Sequence, residues 1–367
     1  MNNKKHVIIT RYEQISAFGC GIQALEQAKM DVLFNAGEQV APHYGATKDY
    51  DFFRLTSLVS NQETRQMDEL GRITVTCAHL VLQQEQNINK EKTGIFLGGG
   101  FGCQVSNQSF IDSLIEHGSR FVKPIVFRNT ASNAPAGHLA INFALTGTNI
   151  VFNSGMVSGA QALALAFHEL HSGESEVILT GASDCCTPLL VERYRQQTQQ
   201  NTVSNPIPLL DGAMIGVLRL SEITTPGWHL LAVNLGRISA SAPSRTLTAL
   251  IEDCLVRAGI DFEQVDNVLL NAGASCYWSR RSEPQTLNQV IEILSEILPV
   301  QVENTAVVPM LALAQALQNL PKSMPPLLFM PEAQKTNCSN NGYFIFCTVG
   351  HDENAVILVL NYLTTEN

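Results

Sequence analysis

Around Asn153-Ser154-Gly155-Met156-Val157-Ser158-Gly159 an extended apolar run, Ile150-Val151-Phe152, stops at small residues and a helical pattern starts at once. A strand-to-helix elbow of this kind lifts one side chain into a cleft beside free backbone N–H groups, the arrangement that activates nucleophiles and holds oxyanions. Gly155 and Gly159 permit positive φ or close backbone approach, and Ser158 is expected to cap a helix from about Ala160 to Leu170. The side chain at the tip is Met156. A thioether has no proton to lose and forms no thioester, so the elbow is shaped for a nucleophile and does not carry one.

Other reactive groups are scattered. Of nine cysteines only Cys185-Cys186 are adjacent and no C-x-x-C pair occurs, so neither a disulfide framework nor a zinc site is expected. Cys20, Cys103, Cys185, Cys186 and Cys276 are the thiols that could replace the missing nucleophile, and Cys103 is best placed, beside Gly98-Gly99-Gly100. Without a paired histidine they read as small buried hydrophobes. Gly98-Gly99-Gly100-Phe101-Gly102 lacks the Gly-x-Gly-x-x-Gly spacing and following acidic residue of a nucleotide cradle. No cofactor or metal is expected.

The elements that position the elbow follow from periodicity. Val7 to Thr10, Thr93 to Gly98, Asn149 to Phe152, Val177 to Thr180 and Met214 to Leu220 read as strands, and Glu63 to Gln83, Asn107 to His117 and Leu189 to Gln200 as helices. A helix is also expected over Gln23 to Met30. The strand before the elbow, the elbow helix and the strand from Val177 form a βαβ unit, so a parallel sheet is expected. Ser221-Glu222-Ile223-Thr224-Thr225-Pro226-Gly227 gathers turn formers between two strands and marks a joint. Beyond it come strand His229–Asn234, helix Leu247–Ala258, strand Asn267–Leu270, helices Pro284–Leu298 and Met310–Leu320, and strands Tyr343–Cys347 and Ala355–Leu360. Residues 1–225 and 226–367 thus repeat one plan.

Composition excludes several functions. With 45% apolar and 15% charged residues over 367 positions the chain is globular. Net charge is −10, from 23 Lys and Arg against 33 Asp and Glu, and no basic cluster exists, which argues against nucleic acid and anionic membrane. Lys4-Lys5 precede only Val7-Ile8-Ile9, too little for a signal-peptide core, and no run of about 18 apolar residues suggests a span. A cytoplasmic location is expected.

The elbow, followed by Glu176-Val177-Ile178-Leu179-Thr180-Gly181-Ala182-Ser183-Asp184, resembles the β-ketoacyl-acyl carrier protein synthases of the thiolase superfamily, whose elbow reads roughly small-Ala-Cys-Ala-Ser-Gly. Met156 falls on the cysteine. Gly94 to Gly102, Asn133 to Ile141 and Asp211-Gly212-Ala213 resemble further family segments in the right order. The resemblance implies an α/β thiolase fold, two duplicated halves in a five-layer αβαβα arrangement. It also locates what is absent: the first family histidine falls on Asn271 or Ala272, depending on a one-residue gap, and the lysine and second histidine segment on Glu303 to Met310, with Val308 at the histidine. The Gly-Phe-Gly-Gly turn is reduced to Thr348-Val349-Gly350-His351, where His351 reads as a solvated loop histidine, and Arg11 stands where the family has glycine. His138 follows the family pattern and reads as structural.

Decarboxylative condensation needs a thiolate to carry the acyl chain and histidines to polarise the extender unit. With those posts vacated, the resemblance implies a non-catalytic chain-length-factor subunit that heterodimerises with an active synthase. The strand Asn149, Ile150, Val151, Phe152, Asn153 and Ser154 would pair with the partner across a two-fold axis. Small residues Thr130, Ala131, Ser132, Asn133 and Ala134 would leave room for an acyl chain in the shared tunnel; an ordinary polar turn is the plainer reading of the same stretch. Acyl carrier protein, itself acidic, would dock mainly on the partner. Chain-length factors of aromatic polyketide systems commonly carry Gln at the elbow, so Met156 points to another branch, with the aryl polyene pathways as candidate. An independent acyltransferase or thioesterase with a relocated cysteine, and a stand-alone acyl-binding protein, remain the alternatives.

Overall fold

A computed structural model of the chain describes residues 5–16, 19–20, 44–45, 65–83, 85, 88–200, 209–239, 241–271, 303–304, 341–349 and 354–363. The first elements are β1 (Lys5–Ser16), β2 (Gly19–Cys20), β3 (Tyr44–Gly45), α1 (Glu69–Leu82), β4 (Thr93–Gly98), α2 (Gln104–His117), α3 (Pro124–Arg128) and α4 (Ala134–Phe143). Then come β5 (Asn149–Phe152), α5 (Ser158–Ser172), β6 (Val177–Asp184), α6 (Pro188–Gln200), β7 (Leu209–Leu210), β8 (Gly212–Glu222) and β9 (Gly227–Arg237). The last are α7 (Pro243–Ala258), β10 (Val265–Asn271), β11 (Glu303–Asn304), β12 (Asn341–Val349) and β13 (Asn354–Leu363).

Eleven strands form one sheet in the order β11-β10-β12-β13-β9-β1-β8-β6-β4-β5, with β2 hung on β1; β3 and β7 pair separately. Read outward from the β1/β9 seam the sheet repeats itself. In β1-β8-β6-β4-β5 the successive neighbours are antiparallel, antiparallel, parallel and parallel. The same succession holds in β9-β13-β12-β10-β11. Two copies of one plan therefore meet where Val7–Ile9 pairs with Trp228–Leu230.

The helices complete the layering. α5 packs on β4 and β6 of one half and on β9 and β13 of the other, so it lies between the two half-sheets. α1 and α4 cover the outer face of the first half and α7 that of the second. The result is the αβαβα sandwich of the thiolase fold. Side chains alternate accordingly. On β6, Ile178 and Ala182 join the central core while Val177 and Leu179 join the outer one. On β12, Phe344 and Phe346 face the centre while Ile345 and Cys347 face α7.

The βαβ unit is present as expected, with β5 and β6 both parallel to β4, which sits between them, so that the α5 connection crosses over it. Several expectations need correction. The sheet is mixed, because β8 runs antiparallel to β6. α1 starts at Glu69 instead of Glu63, since the Asp68 carboxylate accepts from Gly71 N–H at 2.9 Å and fixes the first turn. β1 is twelve residues long, three times the apolar run that announced it. Its polar second half pairs with β8 through a bulge after Ile9, and Arg11 Nε lies 3.6 Å from Glu85 Oε1, so the arginine ties the strand to the end of α1. The helices expected over 23–30, 284–298 and 310–320 lie outside the described residues.

Candidate functional site

The elbow is a short 3₁₀ turn, Gly155–Val157, between β5 and α5, with Gly155 at φ +66°. Met156 is the middle residue of that turn. Ser158 does not cap α5 as expected; it is the helix's first residue and staples the elbow. Its hydroxyl accepts from Ser154 N–H at 2.8 Å and lies 2.6 Å from Gly155 O and 3.1 Å from Gly99 O, with one proton to serve one carbonyl at a time. α5 also approaches β4 closely. A Cβ on Gly98 would lie 2.3 Å from both Gly159 N and the Ser158 carbonyl carbon, backbone that cannot yield, so only glycine fits there.

The loop after β4 runs under the elbow and is held from below. Asp184, at the end of β6, accepts from Gly100 N–H at 2.9 Å and from Phe101 N–H at 2.8 Å, while Gly99 N–H donates to Phe152 O at 2.9 Å. Burial drives the Asp184 carboxyl up to about 6, against the two N–H donors, which favour the charged form, and with Asp211 adding repulsion. Asp211 in turn accepts from Cys186 N–H at 2.7 Å. Asp184 is a site residue that sequence reading passed over; its one signal was an acidic residue ending an otherwise uncharged strand.

The structure brings together the two stretches singled out as tunnel loop and dimer strand. Among the described residues β5 is the outermost strand of its half, bonded only to β4. Asn149 is exposed and Ile150, Val151 and Phe152 are half-buried. Asn153, just past the strand, donates from Nδ2 to Ser132 Oγ at 3.3 Å. Ala131, Ser132 and Asn133 are exposed, Thr130 and Ala134 half-buried. The loop is self-braced: Thr130 Oγ1 donates to Phe127 O at 2.7 Å and Ala134 N–H to Ala131 O at 2.9 Å. Asn153 and Ser132 help to line a cleft with ≈ 290 Å³ of empty space, part of it open solvent, whose closed part takes only a water-sized guest.

The remaining candidates separate. Asn271 ends β10 and pairs with Thr348 of β12, and β12 packs against the elbow turn, so this backbone position shares the elbow's end of the molecule. Ala272, Val308, Cys276 and His351 lie outside the described residues. His138 is buried, and burial lowers its pKa. Asn129 Nδ2 is committed to Gln66 O at 3.0 Å, so Asn129 Oδ1 accepts and His138 Nε2, 2.9 Å away, carries the proton. Cys103 donates to Ala131 O at 3.0 Å, and burial with Asp68 and Asp184 nearby pushes its thiol to about 12. Burial drives Cys185 and Cys186 well above the ordinary thiol range too. Among the described residues no His, Cys, Asp and Glu group could hold a metal, and no helix is long and apolar enough to cross a membrane.

Sequence comparison decides the family. The model of the β-ketoacyl synthase N-terminal domain matches residues 14–206, more than half of the chain. The chain belongs to the β-ketoacyl synthase family. It is 22% identical over 308 residues to the chloroplastic 3-oxoacyl-[acyl-carrier-protein] synthase I of Arabidopsis thaliana, covering 73% of this chain and 65% of that protein. It is 24% identical over 222 residues to a putative mitochondrial 3-oxoacyl-[acyl-carrier-protein] synthase of Schizosaccharomyces pombe, covering 56% and 52%. This ketosynthase-family chain thus spans between half and two thirds of the length of these relatives. Among solved structures, the ishigamide ketosynthase/chain length factor superposes with a TM-score of 0.73 at 19% identity, covering 98% of this chain and 100% of that one. The PfaC keto synthase-chain length factor gives 0.75 at 15% identity, covering 98% and 48%. At such identities the likeness is one of fold.

Proposed function

We propose that this ketosynthase-family chain is a non-catalytic subunit: it pairs with a cysteine-bearing β-ketoacyl synthase and completes an acyl tunnel, as a chain-length factor in type II polyketide or fatty-acid-like synthesis. The observation that carries the reading is Met156 at the middle of an otherwise intact elbow, with the glycine approach at Gly98 and the Ser158 staple both retained. A scaffold that keeps its close contacts while placing a thioether at the tip holds shape without covalent chemistry. The outer edge of β5, which no other described strand covers, supports the pairing, since an unpaired edge is a template for another strand. Ile141, 70% exposed on α4 beside β5, extends that edge with apolar surface. With net charge −10 the chain leaves docking of an acidic carrier protein mainly to the partner. We place the boundary between halves at 225/226 and, on the identity of Met156, the pathway with the aryl polyene branch.

The relocated-nucleophile alternative finds little support in the thiols. Cys103, the best placed of them, is buried, bonded to a carbonyl and pushed to about 12, so almost none of it is thiolate at neutral pH. The test is to purify the chain alone and with the neighbouring synthase, present an acyl-loaded carrier protein, and weigh each subunit by mass spectrometry. The expected outcome is co-elution with the acyl adduct on the partner only, and shortened products from Ser132→Phe in a folded complex. An adduct on this chain would sink the reading. A stable homodimer that ignores the synthase would favour a stand-alone acyl-binding protein.

A further inference from the structure

We propose that Asp184 is a proton-operated latch: ionised, it holds the Gly100 and Phe101 N–H groups and fixes the loop beneath the elbow, and protonated, it lets that loop go. The loop is anchored at both ends. Gly98 is pinned by the α5 backbone, and Cys103 bonds to Ala131 O at 3.0 Å. Between them, Asp184 Oδ2 accepts from Gly100 N–H at 2.9 Å and Oδ1 from Phe101 N–H at 2.8 Å, so each carboxylate oxygen carries one loop amide. The stretch so held meets both the elbow and the end of β5. Gly99 O lies 3.1 Å from the Ser158 hydroxyl, and a Cβ on Gly102 would lie 2.9 Å from Asn153 Nδ2.

A proton from solvent cannot join this arrangement without cost to the loop. On either oxygen it makes a hydroxyl whose hydrogen needs an acceptor of its own, and the neutral acid holds the N–H groups more weakly than the carboxylate did. The surroundings nevertheless favour that proton. Asp184 is 3% exposed, which penalises its charge, and the titratable groups described around it are mostly acids: Asp211 ahead of β8, Glu69 and Asp68 at the start of α1, and the thiols Cys103, Cys185 and Cys186. Arg72 is the cation described there, and it acts on Glu69. Burial and Asp211 raise the Asp184 pKa to about 6, so the exchange falls within ordinary solution pH. Two consequences then oppose one another. Taking up the proton removes a buried charge and stabilises the folded chain, as linkage requires of a raised pKa, while it weakens the two bonds that tether the loop. The loop therefore loosens over the same pH interval in which the body of the protein firms.

The experiment follows amide hydrogen exchange of the full chain by mass spectrometry between about pH 5 and about pH 7.5, each rate divided by that of the unstructured peptide at the same pH. Peptides covering residues 99–102 are expected to lose about fivefold or more in protection as pH falls through about 6, while those from β6 hold or gain. Asp184→Asn, whose side chain cannot ionise, is expected to show the low protection at every pH. Flat protection in the parent, an equal loss in β6, or a parent-like step in Asp184→Asn would each overturn the latch. Should Asp184→Asn fail to fold, Asp211→Asn decides: with its repulsion gone the step is expected at lower pH, and a step left where the parent has it overturns the latch.

Discussion

At the scale of single residues the Gly98–Gly102 loop depends on one carboxylate. Asp184 is 3% exposed, and its bonds to Gly100 and Phe101 offset only part of the cost of burying its charge. Its pKa is therefore raised in the folded chain, from 3.8 to about 6. The sign follows from proton linkage: between those values the native state binds more protons than the unfolded chain, so stability falls as pH rises from about 4 to about 6. Glu69, also raised by burial and by Asp211, acts in the same direction. The limiting slope for one such group is about 1.4 kcal/mol per pH unit. Urea midpoints measured across that range should decline with pH in the parent and decline less in Asp184→Asn, whose side chain cannot ionise. Equal slopes in the two proteins would show that the carboxylate does not titrate there.

Among elements, the proposed pairing with a synthase rests on β5. Four residues long and, among the described residues, paired on one side only, it has α4 packed behind it and Ile141 exposed at its flank. Ile141→Lys is expected to weaken co-elution with the synthase at least tenfold while moving stability by no more than about 0.5 kcal/mol, as surface changes usually do. Size-exclusion chromatography and thermal melts would separate the two effects, and an undisturbed complex would remove α4 from the interface. The bounds of β4 and β5 were legible in the sequence because their apolar runs end abruptly at small residues. The second half of β1 was not, since Arg11, Glu13 and Gln14 give no alternation to read and take their place from β8. The adjacency of Asn153 and Ser132 escaped too, because 21 positions separate them and only the strand order brings loop and edge together. The elbow was recognised, but Ser158 was misassigned as a cap, because its partners are carbonyls and an amide outside the helix.

For the molecule as a whole, the layering makes the two halves interdependent. The central core takes Leu163 and Leu170 from α5, Ile178 and Met214 from the first half-sheet, and Phe346 and Leu358 from the second, so no half can bury its inner face alone. The outer cores are private: Ile251 and Leu255 of α7 pack only within the second. Truncating a fully buried aromatic in the shared layer should cost about 3–5 kcal/mol, whereas a single methyl removed from an outer core should cost about 0.5–1.5 kcal/mol. Phe346→Ala and Ile251→Val make that comparison. Trp228, in the central core with its ring 5.3 Å from Phe344, reports on that layer by fluorescence once the second tryptophan is removed by Trp278→Phe in every protein compared, while far-ultraviolet circular dichroism follows all the helices. If the centre is common property, the two signals coincide in urea for the parent and for Phe346→Ala, which shifts the whole transition to lower denaturant. Two separated transitions in the parent would mean that each half stands by itself and that α5 bridges them without coupling them.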